Sequence, residues 1–102
     1  MDLDRIFDAL ASPLRRRALA ALSQSALTTA ELAERFELSA PGMSRHLSVL
    51  ENAGLVASRR QGQRVLYSLV RDTLMEALSG FAAEFSPAAA PGPGPKSQRE
   101  AI

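Results

Sequence analysis

The hydrophobic pattern of this chain changes its period at Gly54 and returns to the first period near residue 72. Before Gly54, apolar residues recur at the spacing of one helix face. Residues 55–60 and 64–70 instead have the composition of strands, and they flank Gly62, which can supply the positive φ of a hairpin turn. The pattern predicts a mainly α-helical chain with a β-hairpin, an α+β fold in the order α-α-α-α-β-β-α.

Ser12 and Pro13 separate the first two predicted helices. Residues 3–10 carry apolar side chains at helical spacing, and Ser12-Pro13 stops this helix. Ser12 can then cap a second helix at about 13–24, with Pro13 in its first turn. The return of helical spacing at 72–85 predicts the last helix.

Two further helices are predicted at about 28–36 and 40–52. Thr28 and Glu31 have the spacing of a capping box, and Ser39 can cap the second helix of the pair. Two capped helices joined by three or four residues are typical of a helix-turn-helix. Because the predicted hairpin follows directly, the expected fold is a winged helix-turn-helix, with the hairpin as its wing.

The positive charge of the chain is concentrated in residues 39–71, although the net charge is only +1. That segment has five arginines against Glu51 alone, a balance of +4, whereas residues 1–38 and 72–102 are net negative. Arginine can make bidentate contacts with phosphate or guanine. A basic segment in a nearly neutral chain predicts a surface for a polyanion, here double-stranded DNA.

The helix predicted at 40–52 has one apolar face and an opposite polar face that carries Arg45. An α-helix fits the major groove, and its N-terminal half usually contacts the base edges. Arg45 is therefore the first candidate for reading a base, while Ser44 and Ser48 would meet a phosphate or a base edge. The candidate DNA-binding residues of this segment are Ser39, Ala40, Pro41, Gly42, Ser44, Arg45, His46 and Ser48. The alternative is that Arg45 is a solvated surface residue and Ser39 only a cap.

The start of this helix has two further features. The backbone amides of Ser39 and Ala40 can take a phosphate at a helix N-terminus. Gly42 lowers helix propensity by about 1 kcal/mol relative to Ala, which close approach of the backbone to DNA would offset. His46 lies at the edge of the apolar face, where a boundary residue or a phosphate contact is a better interpretation than a metal ligand.

The predicted wing carries arginine on both sides of its turn. Its candidate DNA-binding residues are Arg59, Arg60, Gln63 and Arg64. Arginine at a hairpin tip can enter a minor groove or neutralise flanking phosphates. Exposed arginine can also protect an edge strand from aggregation, and both interpretations can hold.

The first and last helices each present an apolar face that a core of this size cannot cover fully. The expected solution is a twofold dimer in which these helices pack across the axis and present two recognition helices to a palindromic site. The candidate dimer residues are Leu3, Ile6, Phe7, Leu10, Leu74, Leu78, Phe81 and Phe85. The alternative is that they merely cap the core of the monomer.

The sequence has no cysteine and one histidine. The lack of cysteine excludes disulfides, thiolate metal sites and thiol-based redox sensing, and one histidine cannot form an imidazole cluster for zinc or haem. No glycine-rich phosphate loop follows a strand, and no pair of acids is placed to converge, so catalysis is not expected. We expect no metal and no other cofactor.

Residues 1–85 are predicted to form one DNA-binding and dimerisation domain. Residues 86–102 are rich in Pro, Ala and Gly and are predicted to be a disordered tail. The first twenty residues are too charged for a signal peptide, and the longest uncharged run, residues 18–30, is too short and polar to span a bilayer. A soluble, cytoplasmic protein with no membrane partner is expected.

The stretch from Ile6 to Leu69 resembles the ArsR/SmtB-type bacterial winged-helix repressors. The matching segments, in order, are Phe7-Asp8-Ala9-Leu10-Ala11-Ser12-Pro13 with Arg16-Arg17, Thr29-Ala30-Glu31-Leu32-Ala33 with Leu38-Ser39, Ser44-Arg45-His46-Leu47-Ser48-Val49-Leu50 with Ala53-Gly54-Leu55-Val56, and Arg60-Gln61-Gly62-Gln63-Arg64 with Tyr67-Ser68-Leu69. The third is the most specific, and the chain looks most similar to the SdpR-type autorepressor subgroup. One departure is Ser12-Pro13-Leu14, where the family usually has Asp-Pro-Thr.

The resemblance implies a homodimer that binds operator DNA and blocks transcription. It places Ser39, Ala40, Ser44, Arg45 and His46 at the recognition helix, and Arg64 at the wing. Metal-sensing members carry Cys on the helix matching residues 28–36, or His and carboxylates on the last helix. This sequence has neither that Cys nor a His on its last helix, so the resemblance implies a member without these metal sites and without cysteine-based sulfur sensing.

A second class of function is a winged helix that binds protein, or an antirepressor that holds another regulator. The +4 segment argues against this class, because a protein-binding version has no need of arginine at a hairpin tip. The sequence leaves the release mechanism open: a small-molecule effector, a sequestering protein or a change in protein level would each serve.

Overall fold

Five helices and a three-stranded antiparallel sheet make up residues 1–86, the part of the chain that this computed structural model describes. The elements are α1 (Leu3–Leu10), α2 (Pro13–Leu22), β1 (Leu27–Thr28), α3 (Thr29–Arg35), α4 (Ala40–Asn52), β2 (Val56–Gln61), β3 (Arg64–Leu69) and α5 (Arg71–Ala83). The predicted winged helix-turn-helix is confirmed. Apart from Ser86, the predicted tail lies outside the described residues.

Side-chain caps set the starts of α2 and α3, as the sequence predicts. The Ser12 Oγ accepts from the backbone N–H of Arg15 at 3.2 Å and begins α2. The capping box of α3 is complete: Thr28 Oγ1 accepts from the N–H of Glu31 at 3.1 Å, and the Glu31 carboxylate accepts from the N–H of Thr28 at 2.8 Å. These caps satisfy amides that a helix leaves without a partner, so the bounds of both helices are local properties of the sequence.

The sheet differs from the prediction by one short strand. β2 and β3 form the expected hairpin from Val56↔Leu69 to Gln61↔Arg64, with Gly62 at φ 63° in its turn. β1 pairs with the other edge of β3 and gives the order β1-β3-β2. Two residues are too short to show the alternation that predicts a strand, so only the pairing with β3 defines β1.

The core lies between the helices and one face of the sheet. Its largest fully buried side chains are Ile6, Leu32, Met43, Leu47, Leu50 and Leu55. Three of these belong to α4, which is therefore held by its apolar face. α4 ends at Asn52, and the positive φ of 79° at Gly54, just beyond the C-cap, allows the N–H of Leu55 to bond to the carbonyl of Leu50 at 2.9 Å.

Candidate nucleic-acid interface

The outward face of α4 carries the polar side chains that the sequence predicts for base contacts. Burial of Met43, Leu47 and Leu50 leaves Arg45 and Ser48 exposed, while Ser44 is half-buried. Arg45 therefore lies on the side of α4 that can face the base edges when the helix enters the major groove of DNA.

The N-terminal end of α4 is capped by Ser39 and depends on Gly42. The Ser39 Oγ accepts from the N–H of Gly42 at 3.1 Å, and a Cβ at position 42 would lie 3.1 Å from the same Oγ. Because Gly42 has no side chain, it leaves room for the cap at Ser39. This role of Gly42 is different from the close approach to DNA predicted from the sequence. Ser39, Ala40 and Pro41 are all exposed at this end of the helix.

The hairpin of β2 and β3, called the wing from here on, divides its arginines between its two faces. Arg59 pairs with Leu66, and Arg60 pairs with Val65. Because side chains alternate along a strand, Arg60 lies on the face that carries the buried Tyr67, whereas Arg59 lies on the other face. The wing arginines do not form one cluster, although all of them are exposed.

A groove of about 220 Å³ brings α4 and the wing together. Its lining residues are Thr28, Thr29, Ala30, Ala40, Ser44, Gln63, Arg64 and Val65. We call it the α4–wing groove. Four predicted DNA-binding residues from two separate segments therefore share one concave surface. The start of α3 also lines it, a contribution that the sequence analysis missed because it depends on how β1 and α3 pack beside the wing.

The charges around the α4–wing groove favour an anion. The pKa of Glu31 is lowered, mainly by the hydrogen bond from the N–H of Thr28, and the positive charges of Arg64 and Arg35 lower it further. Within residues 1–86, the one ion pair shorter than 4.0 Å joins Arg5 to Asp2 at 3.6 Å. Within the same residues, no arginine of α4 or the wing has a carboxylate oxygen within 4.0 Å.

His46 is half-buried and has a partner that the sequence analysis did not predict. Its Nδ1 lies 3.3 Å from the guanidinium of Arg15 on α2. The sequence shows three consecutive arginines at 15–17, which fan around α2, but it does not show which of them meets α4.

Comparison with known proteins identifies the family. The helix-turn-helix domain family matches residues 10–59. The transcriptional repressor SdpR of Bacillus subtilis is 32% identical over 77 residues, which cover 76% of this chain and 86% of SdpR. The crystal structure of an ArsR family transcriptional regulator has a TM-score of 0.74 and 33% identity, covering 80% of this chain and 89% of that one. This chain belongs to the ArsR family of winged helix-turn-helix transcriptional regulators.

The ArsR family consists of DNA-binding transcriptional regulators and is not enzymatic. A further neighbour is the solution structure of a homodimeric winged helix-turn-helix DNA-binding domain from Mycobacterium bovis. That domain has a TM-score of 0.68 and 29% identity, covering 79% of this chain and 77% of the neighbour. The similarity therefore extends over most of the described fold.

α1, α5 and the turn after α5 carry a row of three aromatic rings, the half-buried Phe7 and the exposed Phe81 and Phe85, called the aromatic row from here on. Adjacent ring centroids lie 4.9 Å apart in edge-to-face contact. Phe81 is 39% exposed and Phe85 is 71% exposed. Such a cluster of exposed aromatic side chains is typical of an interaction surface.

One residue predicted for a dimer interface lies elsewhere. Ile6 is fully buried in the single chain, so a second copy could not contact it directly, and it is left out of the interface proposed below. Helical spacing identifies the apolar residues on the inward side of α1. It does not show which of them are buried in the core and which lie at the surface beside it. Of the other predicted dimer residues, Leu78, Phe81 and Phe85 are exposed, and Leu3, Phe7, Leu10 and Leu74 are half-buried.

Within residues 1–86, no three His, Cys, Asp or Glu side chains are grouped so that they could hold a metal ion. In the same part of the chain, none of the helices has the length and apolar character required to cross a membrane.

Proposed function

We propose that this ArsR-family chain is a homodimeric repressor that binds a palindromic operator without sensing a metal. The α4–wing groove is the observation that carries the proposal, since it joins Ala40 and Ser44 of α4 to Gln63 and Arg64 of the wing. A phosphate backbone that crossed this groove would meet both segments at once, which would fix the register of α4 on the duplex.

In the proposed complex, α4 lies in the major groove and Arg45 contacts a base edge. The remaining contacts of α4 come from Ser39, Ala40, Pro41, Gly42, Ser44, His46 and Ser48. On the wing, Arg64 and Gln63 contact the phosphates beside the α4–wing groove. Arg59 and Arg60, on opposite faces, contact the backbone or the minor groove next to it.

The dimer is proposed to form through α1 and α5. The exposed aromatic row supports this arrangement, because a second copy would cover it. The homodimeric domain from Mycobacterium bovis supports the formation of a dimer, without bearing on which helices form it. The proposed interface residues are those predicted from sequence without Ile6: Leu3, Phe7, Leu10, Leu74, Leu78, Phe81 and Phe85. A twofold axis would present two α4 helices to two half-sites of a palindrome.

Two features support repression without metal sensing. SdpR, which aligns with most of this chain, is a transcriptional repressor. The sequence has no cysteine, and its one histidine lies on α4 and not on either of the proposed dimer helices. DNA occupancy in the proposed mechanism is therefore independent of divalent transition metals.

Fluorescence anisotropy tests the proposal with a duplex from the promoter region of the protein's own gene and a scrambled duplex of the same length. The wild-type protein is expected to bind the first more tightly, with one dimer per site and no change on addition of zinc or EDTA. Because phosphate contacts dominate such binding, affinity should fall steeply with salt. Failure to bind any duplex at low salt would overturn DNA recognition and favour the protein-binding alternative.

A further inference from the structure

Arg15 joins three helices through one guanidinium group. Its Nε donates to the carbonyl of Ala9 at 2.7 Å, and its Nη2 donates to the carbonyl of Asp8 at 3.0 Å, both at the C-terminal end of α1. Its Nη1 lies 3.3 Å from Nδ1 of His46 on α4. Arg15 and His46 are both half-buried, so water shields this contact less than it would at the surface.

The two bonds to α1 anchor the guanidinium. The last carbonyls of a helix have no partner within the helix, and a cation near them also interacts favourably with the helix dipole. α1 has no basic residue in its own last turn. Arg15 supplies that charge from α2 and is thereby held in a defined position relative to both helices.

The contact with His46 defines the state of the imidazole ring. Because a guanidinium can only donate, Nδ1 of His46 must accept, and the proton of the neutral ring lies on Nε2. The ring is therefore held in one tautomer and one orientation, one residue away from Arg45 on the same helix.

We propose that Arg15 is a positioning residue for DNA recognition: through His46 it sets the orientation of α4 against α1 and α2. It acts without touching DNA. This role rests on the proposed function, since the orientation of α4 matters for recognition only if α4 binds DNA. It also links α1, a helix of the proposed dimer interface, to the helix that meets the operator.

Arg16 offers a matched control on the same helix. Its Nη1 also donates to the end of α1, at the carbonyl of Leu10 with a distance of 2.6 Å. Within residues 1–86, its side chain makes no hydrogen bond to α4. Substitution of either arginine removes one positive charge. Arg16→Ala removes one hydrogen bond to α1, whereas Arg15→Ala removes two of them together with the contact with His46.

The first measurement needs no DNA. His46 is the only histidine in the sequence, so a long-range ¹H–¹⁵N spectrum of the untagged protein reports its ring without ambiguity. The wild type and Arg16→Ala are expected to show the neutral Nε2–H tautomer. Arg15→Ala is expected to show a mixture of tautomers. A wild-type ring with its proton on Nδ1 would overturn the contact.

The second measurement compares operator binding over a range of salt concentrations. Arg15→Ala is expected to bind the operator about tenfold more weakly, with the salt slope of the wild type, because α4 would then hold the binding-competent orientation only part of the time and the apparent affinity falls by that fraction. Arg16→Ala should stay within about twofold of the wild type. If Arg15→Ala lowers the salt slope by about 1, Arg15 contacts a phosphate directly and the positioning role is wrong.

Arg15→Lys covers the case in which Arg15→Ala does not fold. Lysine keeps the charge and can donate to the carbonyls of α1, but it lacks the planar fork that reaches both α1 and His46. It should melt near the wild type, lose the fixed tautomer of His46 and bind the operator more weakly. Wild-type affinity of a folded Arg15→Lys or Arg15→Ala overturns the positioning role alone, whereas a wild-type protein that binds no duplex overturns the proposed function.

Discussion

Two surfaces of this chain are exposed in the single copy, and they differ in what they can bind. The surface of α4 and the wing presents arginines that no carboxylate of residues 1–86 pairs within 4.0 Å. The surface of α1 and α5 presents the aromatic row, with Phe85 71% exposed. A polyanion suits the first surface, and an apolar partner such as a second copy suits the second. Tight operator binding by the proposed dimer needs both surfaces, because the first contacts a half-site and the second joins the two copies that contact the two half-sites.

The largest expected effect comes from disruption of the apolar surface. Phe81→Asp would place a charge inside the proposed interface, where its burial is unfavourable, and should convert the dimer to a monomer. Operator affinity should then fall by roughly a hundredfold or more, because the second half-site no longer binds intramolecularly. Sedimentation equilibrium measures the oligomeric state, and anisotropy measures the affinity.

Ala83→Asp is the matched control for this substitution. Residues 81 and 83 are about 200° apart around α5, so the same charge is added to the opposite side of the helix. Ala83 is exposed, and this variant should remain a dimer with wild-type affinity. If both variants stay dimeric, the aromatic row does not form the interface.

Arg45→Ala is expected to have the next largest effect, and on specificity above all. Loss of a base contact should cost about 1–3 kcal/mol on the operator and little on scrambled DNA. The ratio of the two affinities is the quantity to measure. An equal loss on both duplexes would place Arg45 on a phosphate instead of a base.

Arg64→Ala should weaken both duplexes by similar factors, because the wing contact is proposed to be with phosphate. The plot of log affinity against log salt concentration should lose about one unit of slope. Arg71→Ala is the control: it removes an arginine of the same basic segment, but Arg71 lies beyond the opposite end of β3 and bonds to the carbonyl of Ser23. An unchanged slope for Arg64→Ala would remove the wing tip from the interface.

The two surfaces also differ in how far the sequence predicts them. The start of α4 and the face that it exposes follow from local features, the cap at Ser39 and the burial of Met43 and Leu47, and both can be predicted from the sequence. The apolar surface is harder to predict, since helical periodicity groups the buried Ile6 with the half-buried Phe7 on the same side of α1. Contacts between distant segments, such as Arg15 with His46, depend on how helices pack and have no pattern in the sequence.

The pairing of β1 shows the same limit at the α4–wing groove. Leu27 and Thr28 form a strand only because β3 offers them a partner, with Leu27 opposite Tyr67. That pairing brings the start of α3 beside the wing, so Thr28 to Ala30 line the groove. The capping box predicts where α3 begins, but not what lies next to it.

The smallest expected effect is on stability and concerns the carboxylate of Glu31 beside the groove. Its pKa is lowered, mainly by the hydrogen bond from the N–H of Thr28, with Arg64 and Arg35 as further causes. A carboxyl whose folded pKa lies below its unfolded value stabilises the fold above the unfolded pKa and loses that contribution as pH falls through the folded pKa. Glu31→Gln should therefore melt below the wild type at pH 7, and the difference in melting temperature should shrink in acid.

Glu34→Gln is the control, because it removes the same charge from α3 without touching the cap. It should show a smaller difference in melting temperature at pH 7. Circular dichroism melts at pH 7 and at pH 3 provide the measurement, and a difference for Glu31→Gln that persists unchanged in acid would show that the carboxylate charge is not its origin.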